Sequence, residues 1–137
     1  MTADLILDAS ATLAWCFEDE RSADSDALLD RLATSAALVP GLWHVELANA
    51  LLAAERRRRL TAADIEEFYR LLDRLTIETD DPRLPPAPLL ALARAHRLIV
   101  YDATYLDLAM RRNLPLATRD AALGRAAGAA GVTLLPA

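Results

Sequence analysis

Apolar and polar positions fall in blocks along this chain, and the blocks predict strands that alternate with helices. The run Leu5-Ile6-Leu7 predicts a short buried strand from Asp4 to Asp8. Ser10 to Phe17 then reads as a helix with Ser10 as its N-cap. A second helical stretch is expected from Glu18 to Ser35, because Ala27, Leu28, Leu32 and Ala36 recur at helical spacing. Ala37-Leu38-Val39 predicts a strand closed by Pro40-Gly41. Trp43 to Arg59 reads as a long helix, with Val45, Leu47, Ala48, Leu51 and Leu52 on its apolar face. Thr61 with Asp64 three positions on is a relative of the capping box, and opens a helix that carries Ile65, Phe68, Leu71, Leu72 and Leu75.

Downstream, Thr76 to Thr79 alternates as a strand does, and the Pro-rich stretch Asp80 to Pro88 reads as a loop into a helix ending near His96. Leu98 to Tyr101 is expected to be extended, followed by a helix from Asp102 to Arg112 with Asp102 at its N-cap. Leu114 to Thr118 reads as a strand, Arg119 to Ala127 as a helix, and Val132 to Leu135 as a last strand after Gly128 and Gly131. The alternation predicts an α/β fold of three layers: a mostly parallel central sheet flanked by helices, with a helical hairpin over His44 to Leu75. The 137 residues suit a single domain, 1–137.

Four carboxylates each follow one of these apolar runs: Asp8, Glu46, Asp102 and Asp120. The C-terminal ends of parallel strands lie along one edge of a sheet, where ligands bind, so acids far apart in sequence converge there. Like charges held together need a cation or a proton to offset them, and an all-oxygen donor set suits a hard divalent metal. Singly, each acid has an ordinary role, as a helix cap for Asp8, Asp102 and Asp120 or as a complement to the helix dipole for Glu46. The joint pattern points further than any one of them. Ser10 lies two after Asp8 and Thr118 two before Asp120, and their hydroxyls can either hold the carboxylates or make local turn bonds. Asn49 shares a helix face with Glu46 at i+3. Asp107 stands roughly 140° around a helix from Asp102, which reads as an outlying or surface acid.

Composition narrows the chemistry. All 15 basic residues are Arg and none is Lys, which removes P-loop NTPases and Schiff-base enzymes. The four Gly form no dinucleotide-binding turn. A net charge of −5 argues against simple electrostatic wrapping of nucleic acid, but not against a nuclease whose acids bind metal. Cys16 is alone, so one chain builds neither a disulfide nor a thiolate metal site. His44 and His96 make no metal pair, and Arg56 to Arg59 reads as a solvated charge run at a helix end. Trp15, Trp43, Phe68 and Tyr69 fit packing better than base stacking. No secretory signal and no membrane span are expected, which suits a cytoplasmic protein.

Taken in order, Asp8-Ala9-Ser10, Glu46-x-x-Asn49, Tyr101-Asp102-Ala103-x-Tyr105-Leu106-x-Leu108-Ala109 and Thr118-Arg119-Asp120 resemble PIN-domain ribonucleases, and among them the VapC-type toxins of toxin–antitoxin pairs. The resemblance spans nearly the whole chain. It implies that Asp8, Glu46, Asp102 and Asp120 form the acidic active site. It also implies Mg²⁺, with Mn²⁺ as a substitute, an RNA substrate such as tRNA or rRNA, a VapB-type antitoxin and a homodimer. Asp8, Asp102 and Asp120 would hold metal directly and Glu46 through water, with Ser10, Asn49 and Thr118 behind them. Two rivals remain. A haloacid-dehalogenase-like phosphatase would use Asp8 as nucleophile, but it wants an Asp where this chain has Ser10, and a Lys. A non-catalytic module would use the acidic pocket only to receive an Arg-bearing partner.

Overall fold

The computed structural model describes residues 2–80 and 84–137. Its strands are β1 (Ala3–Leu7), β2 (Ala36–Pro40), β3 (Thr76–Asp80), β4 (Leu116–Ala117) and β5 (Leu134–Leu135). Its helices are α1 (Ala9–Leu13), α2 (Ala23–Leu32), α3 (Gly41–Arg56), α4 (Ala62–Asp73), α5 (Pro86–His96), α6 (Val100–Arg112) and α7 (Ala121–Ala129). The five strands form one sheet in the order β3-β2-β1-β4-β5, with every pairing parallel. The fold is therefore the predicted α/β architecture, with helices around a parallel sheet.

Burial explains the strand order. Leu5, Ile6 and Leu7 are all 0% exposed, as an uninterrupted apolar run must be when both sheet faces are covered. β1 accordingly lies at the centre, with Ile6 aligned between Leu38 of β2 and Leu116 of β4. The polar sequence of β3, with Glu78 and Thr79 exposed, sits at an edge. Strand order runs outward from β1 through β2 to β3, then restarts on the other side of β1 with β4. That reversal is the switch point at which a parallel sheet opens a crevice beyond its C-terminal ends.

The two middle helices form the crossover from β2 to β3. The capping box of Thr61 and Asp64 opens α4 as expected. On α3, however, the buried face is Trp43, Leu47, Leu51 and Ala54, while Val45 and Leu52 are 66% and 42% exposed. Val45 is two residues from Trp43, which carries it to the opposite side of the helix.

Several expected boundaries move. Asp8, not Ser10, is the N-cap of α1, accepting from the Ala11 amide, and α1 ends at Leu13. The stretch from Glu18 divides into a 3-10 turn, Glu18–Glu20, and α2, which a Ser22–Ser25 capping box restarts. Leu98 to Tyr101 is not a strand. Arg97 closes α5 with a left-handed φ of 55°, and α6 begins at Val100 with Ile99 as N-cap, so Asp102 lies inside the first turn of α6. The expected loop over 80–88 lies partly outside the described residues. Among the described residues, no helix is long and apolar enough to cross a membrane.

Candidate active site

β1 and β4 deliver the first part of the site at the switch point: Asp8 directly after β1, and Thr118-Arg119-Asp120 directly after β4. Asp8 is 4% exposed. Its Oδ1 accepts from the Ala11 amide at 2.8 Å, and the Ser10 hydroxyl lies 2.8 and 2.9 Å from its two oxygens. The Thr118 hydroxyl donates to Oδ2. Each hydroxyl is in turn held by a backbone amide, Ser10 by Arg119 at 2.8 Å and Thr118 by Asp120 at 3.0 Å. Thr118 thus reaches across to the carboxylate of Asp8 rather than to that of Asp120. Burial pushes the Asp8 carboxyl above its ordinary range, while the donors from Thr118, Ala11 and Ser10 pull it back.

Glu46 arrives on α3, one turn beyond Trp43. The Trp43 indole donates to the Thr12 hydroxyl at 3.0 Å, and Thr12 donates to the Asp8 carbonyl at 2.7 Å, which pins α3 against the start of α1. The Tyr105 hydroxyl donates to Glu46 Oε1 at 2.7 Å. Asn49 is exposed and makes no hydrogen bond with Glu46 among the described residues. Tyr105 is the partner that spacing did not reveal, because it stands 59 residues away. Its signal was present, since it shares a face of α6 with Asp102 at i+3.

Asp102 is half-buried in the first turn of α6. Burial, and then the charges of Asp120, Asp8 and Glu46, push its carboxyl from 3.8 up to about 6. Asp120 caps α7, accepting from the Leu123 amide at 2.8 Å. Asp8, Glu46 and Asp120 therefore come from three separate places in the chain and act electrostatically on the carboxyl of Asp102, from a fourth.

Asp107 is not at the surface. It is 4% exposed, and Arg111 Nε donates to it at 2.9 Å. Arg111 also reaches Asp80 at 3.7 Å, and Arg112 reaches the same acid at 3.0 Å. This network ties α6 to the end of β3. Among the Arg56 to Arg59 run, Arg59 stacks over Phe17 at 4.3 Å and pairs with Asp19 at 3.5 Å. His44 is exposed and bonds Thr79 at 2.9 Å. A groove of about 1040 Å³ lies between Phe17, Arg59 and α4 and is lined by none of the four acids.

No three His, Cys, Asp or Glu side chains among the described residues converge tightly enough for a closed metal shell. A strongly hydrated ion needs no closed protein shell. Mg²⁺ keeps several waters and takes only one or two carboxylates directly. The donor chemistry also fits, because four acids whose mutual repulsion raises a proton affinity gain from a hard cation in place of the proton.

A family model of the PIN domain matches residues 5–129. The chain belongs to the PIN-domain family. PIN domains are typically metal-dependent nucleases, and those nucleases generally use divalent metals. Among solved structures, this PIN domain is similar to PAE2754 from Pyrobaculum aerophilum, with 26% identity and a TM-score of 0.69 over 90% of this chain and 79% of that one. It shares its fold with FitAcB from Neisseria gonorrhoeae, at 18% identity and a TM-score of 0.67 over 96% of each chain. A domain of a functionally unknown protein from Methanocaldococcus jannaschii matches at 20% identity and a TM-score of 0.57, over 99% of this chain and 93% of that one. No curated protein matches the sequence.

The raised Asp102 carboxyl has a consequence for stability. A carboxyl whose pKa is raised on folding favours the folded state at low pH, and this contribution is lost as pH rises from 3.8 to about 6. Asp102→Asn carries no charge and escapes that loss. In the absence of divalent metal, its melting temperature should pull ahead of the parent's between pH 4 and 6, and the gap should flatten above that. A gap independent of pH would show that neither burial nor the neighbouring acids raise the Asp102 carboxyl.

Proposed function

We propose that this PIN domain is a Mg²⁺-dependent endoribonuclease, with Mn²⁺ as a substitute, acting as a VapC-type toxin on tRNA or rRNA. The observation that carries the reading is geometric: Asp8 and Asp120 directly follow the adjacent parallel strands β1 and β4, with Asp102 and Glu46 near enough for their charges to be felt at that edge. Asp8, Asp102 and Asp120, with Glu46 acting through water, are the residues that would share such an ion, one or two of them directly and the others through its water shell. A bound divalent cation supplies positive charge at the scissile phosphate and makes water a better nucleophile near neutral pH. The protein's own part is to bring the four acids together and orient them. The Ser10 and Thr118 hydroxyls and the Ala11 amide all donate to Asp8, favouring its charged form against the cost of burial. Asp120 is fixed by the α7 amide it caps, and Glu46 by Tyr105. The open crevice suits a polymer substrate, whose backbone crosses the sheet edge with no need of an enclosed pocket.

The motif resemblance supports a VapB-type antitoxin, a homodimer and a cytoplasmic setting within this reading. The antitoxin would dock in the groove beside the two middle helices, where Phe17 and Arg59 meet α4. The substrate class is tested by offering the chain single-stranded RNA and a generic phosphomonoester with Mg²⁺. RNA fragments without phosphate release are expected. Turnover of the phosphomonoester would instead favour Asp8 as the nucleophile of a phosphatase.

A further inference from the structure

We propose that Tyr105 is a positioning residue: its hydroxyl fixes the Glu46 carboxylate in the orientation that meets a divalent cation's shell. The inference rests on the reading above that the four acids hold such a cation.

Glu46 has little else to hold it. Its neighbours Val45 and Asn49 on α3 are exposed, and among the described residues its side chain has no hydrogen-bond partner except Tyr105. Tyr105 is rigid by contrast. It is 1% exposed within the main apolar core, so its ring has no freedom to follow a moving carboxylate. The bond of 2.7 Å occupies Oε1 alone and leaves Oε2 unbonded. Placement adds the functional content. Tyr105 lies one turn from Asp102 on α6, so a single helix carries one acid and sets the orientation of another.

Tyr105→Phe removes one oxygen and keeps the ring. The test is Mn²⁺ affinity, read from the electron paramagnetic resonance of free Mn²⁺, in the parent, Tyr105→Phe, Glu46→Gln and the double variant. Loss of a group that orients a metal ligand weakens binding by roughly 10-fold or more, and the two single variants should each show it. If Tyr105 acts through Glu46, the double variant should bind no more weakly than Glu46→Gln alone. Parent-like affinity in Tyr105→Phe would overturn the proposal. So would a double variant weakened by the product of the two single effects, because a general loosening of the fold multiplies with the loss of Glu46. Failure of the metal reading itself looks different: the parent would not bind Mn²⁺, or Asp8→Asn would bind it as the parent does, and Tyr105 would lose its proposed role along with it.

Discussion

Asp8→Asn is expected to lower RNA cleavage by roughly 10³-fold, about 4 kcal/mol of transition-state stabilisation, while the protein melts near the parent's temperature. The two halves of this expectation come from different parts of one side chain. An asparagine oxygen still accepts from the Ala11 amide and the Ser10 hydroxyl, so the cap of α1 survives. What disappears is the negative charge, with the burial cost that pushes the Asp8 carboxyl upward, and the Oδ2 acceptor of the Thr118 hydroxyl, two losses of opposite sign for stability. Cleavage therefore suffers far more than stability does. Asp8→Ala is a poorer probe. It removes the cap as well, at about 1 kcal/mol. Initial cleavage rates and thermal melts of parent and Asp8→Asn check the expectation. A variant that cleaves at the parent's rate would take Asp8 out of the machinery.

The parts of this molecule legible in its sequence are those governed by short-range rules. Leu5-Ile6-Leu7 and Ala37-Leu38-Val39 read as buried strands because a doubly covered strand needs an unbroken apolar run. The Thr61–Asp64 box reads as a helix start because both of its hydrogen bonds are local. Leu98-Ile99-Val100 misled for the same reason. A short apolar run is equally a strand or the junction of two helices, and the left-handed Arg97 makes it a junction. Asp102 was thus expected at the site for the wrong local reason: α6 brings it there, not a strand end. Ser10 was expected to cap α1, yet Asp8 is the stronger acceptor and Ser10 donates to it. The long-range partners were out of reach of spacing. Nothing near Glu46 in sequence names Tyr105, and nothing near Asp8 names Thr118, because each pair meets only when α6 and β4 pack against β1 and α3.

The second large effect is expected from removal of the metal. Asp8, Glu46, Asp102 and Asp120 offer only carboxylate oxygen as donors, and burial, followed by the charges of Asp120, Asp8 and Glu46, raises the Asp102 carboxyl to about 6. Without a cation, this acidic edge repels a polyanion and has no positive charge to stabilise the transition state. The most direct measurement is therefore cleavage of total cellular RNA by the purified chain, with Mg²⁺ and with excess chelator side by side. Discrete fragments with Mg²⁺, their loss with chelator and their return when Mg²⁺ is restored are predicted. Cleavage that persists undiminished in chelator would contradict a metal-dependent nuclease built on these four acids.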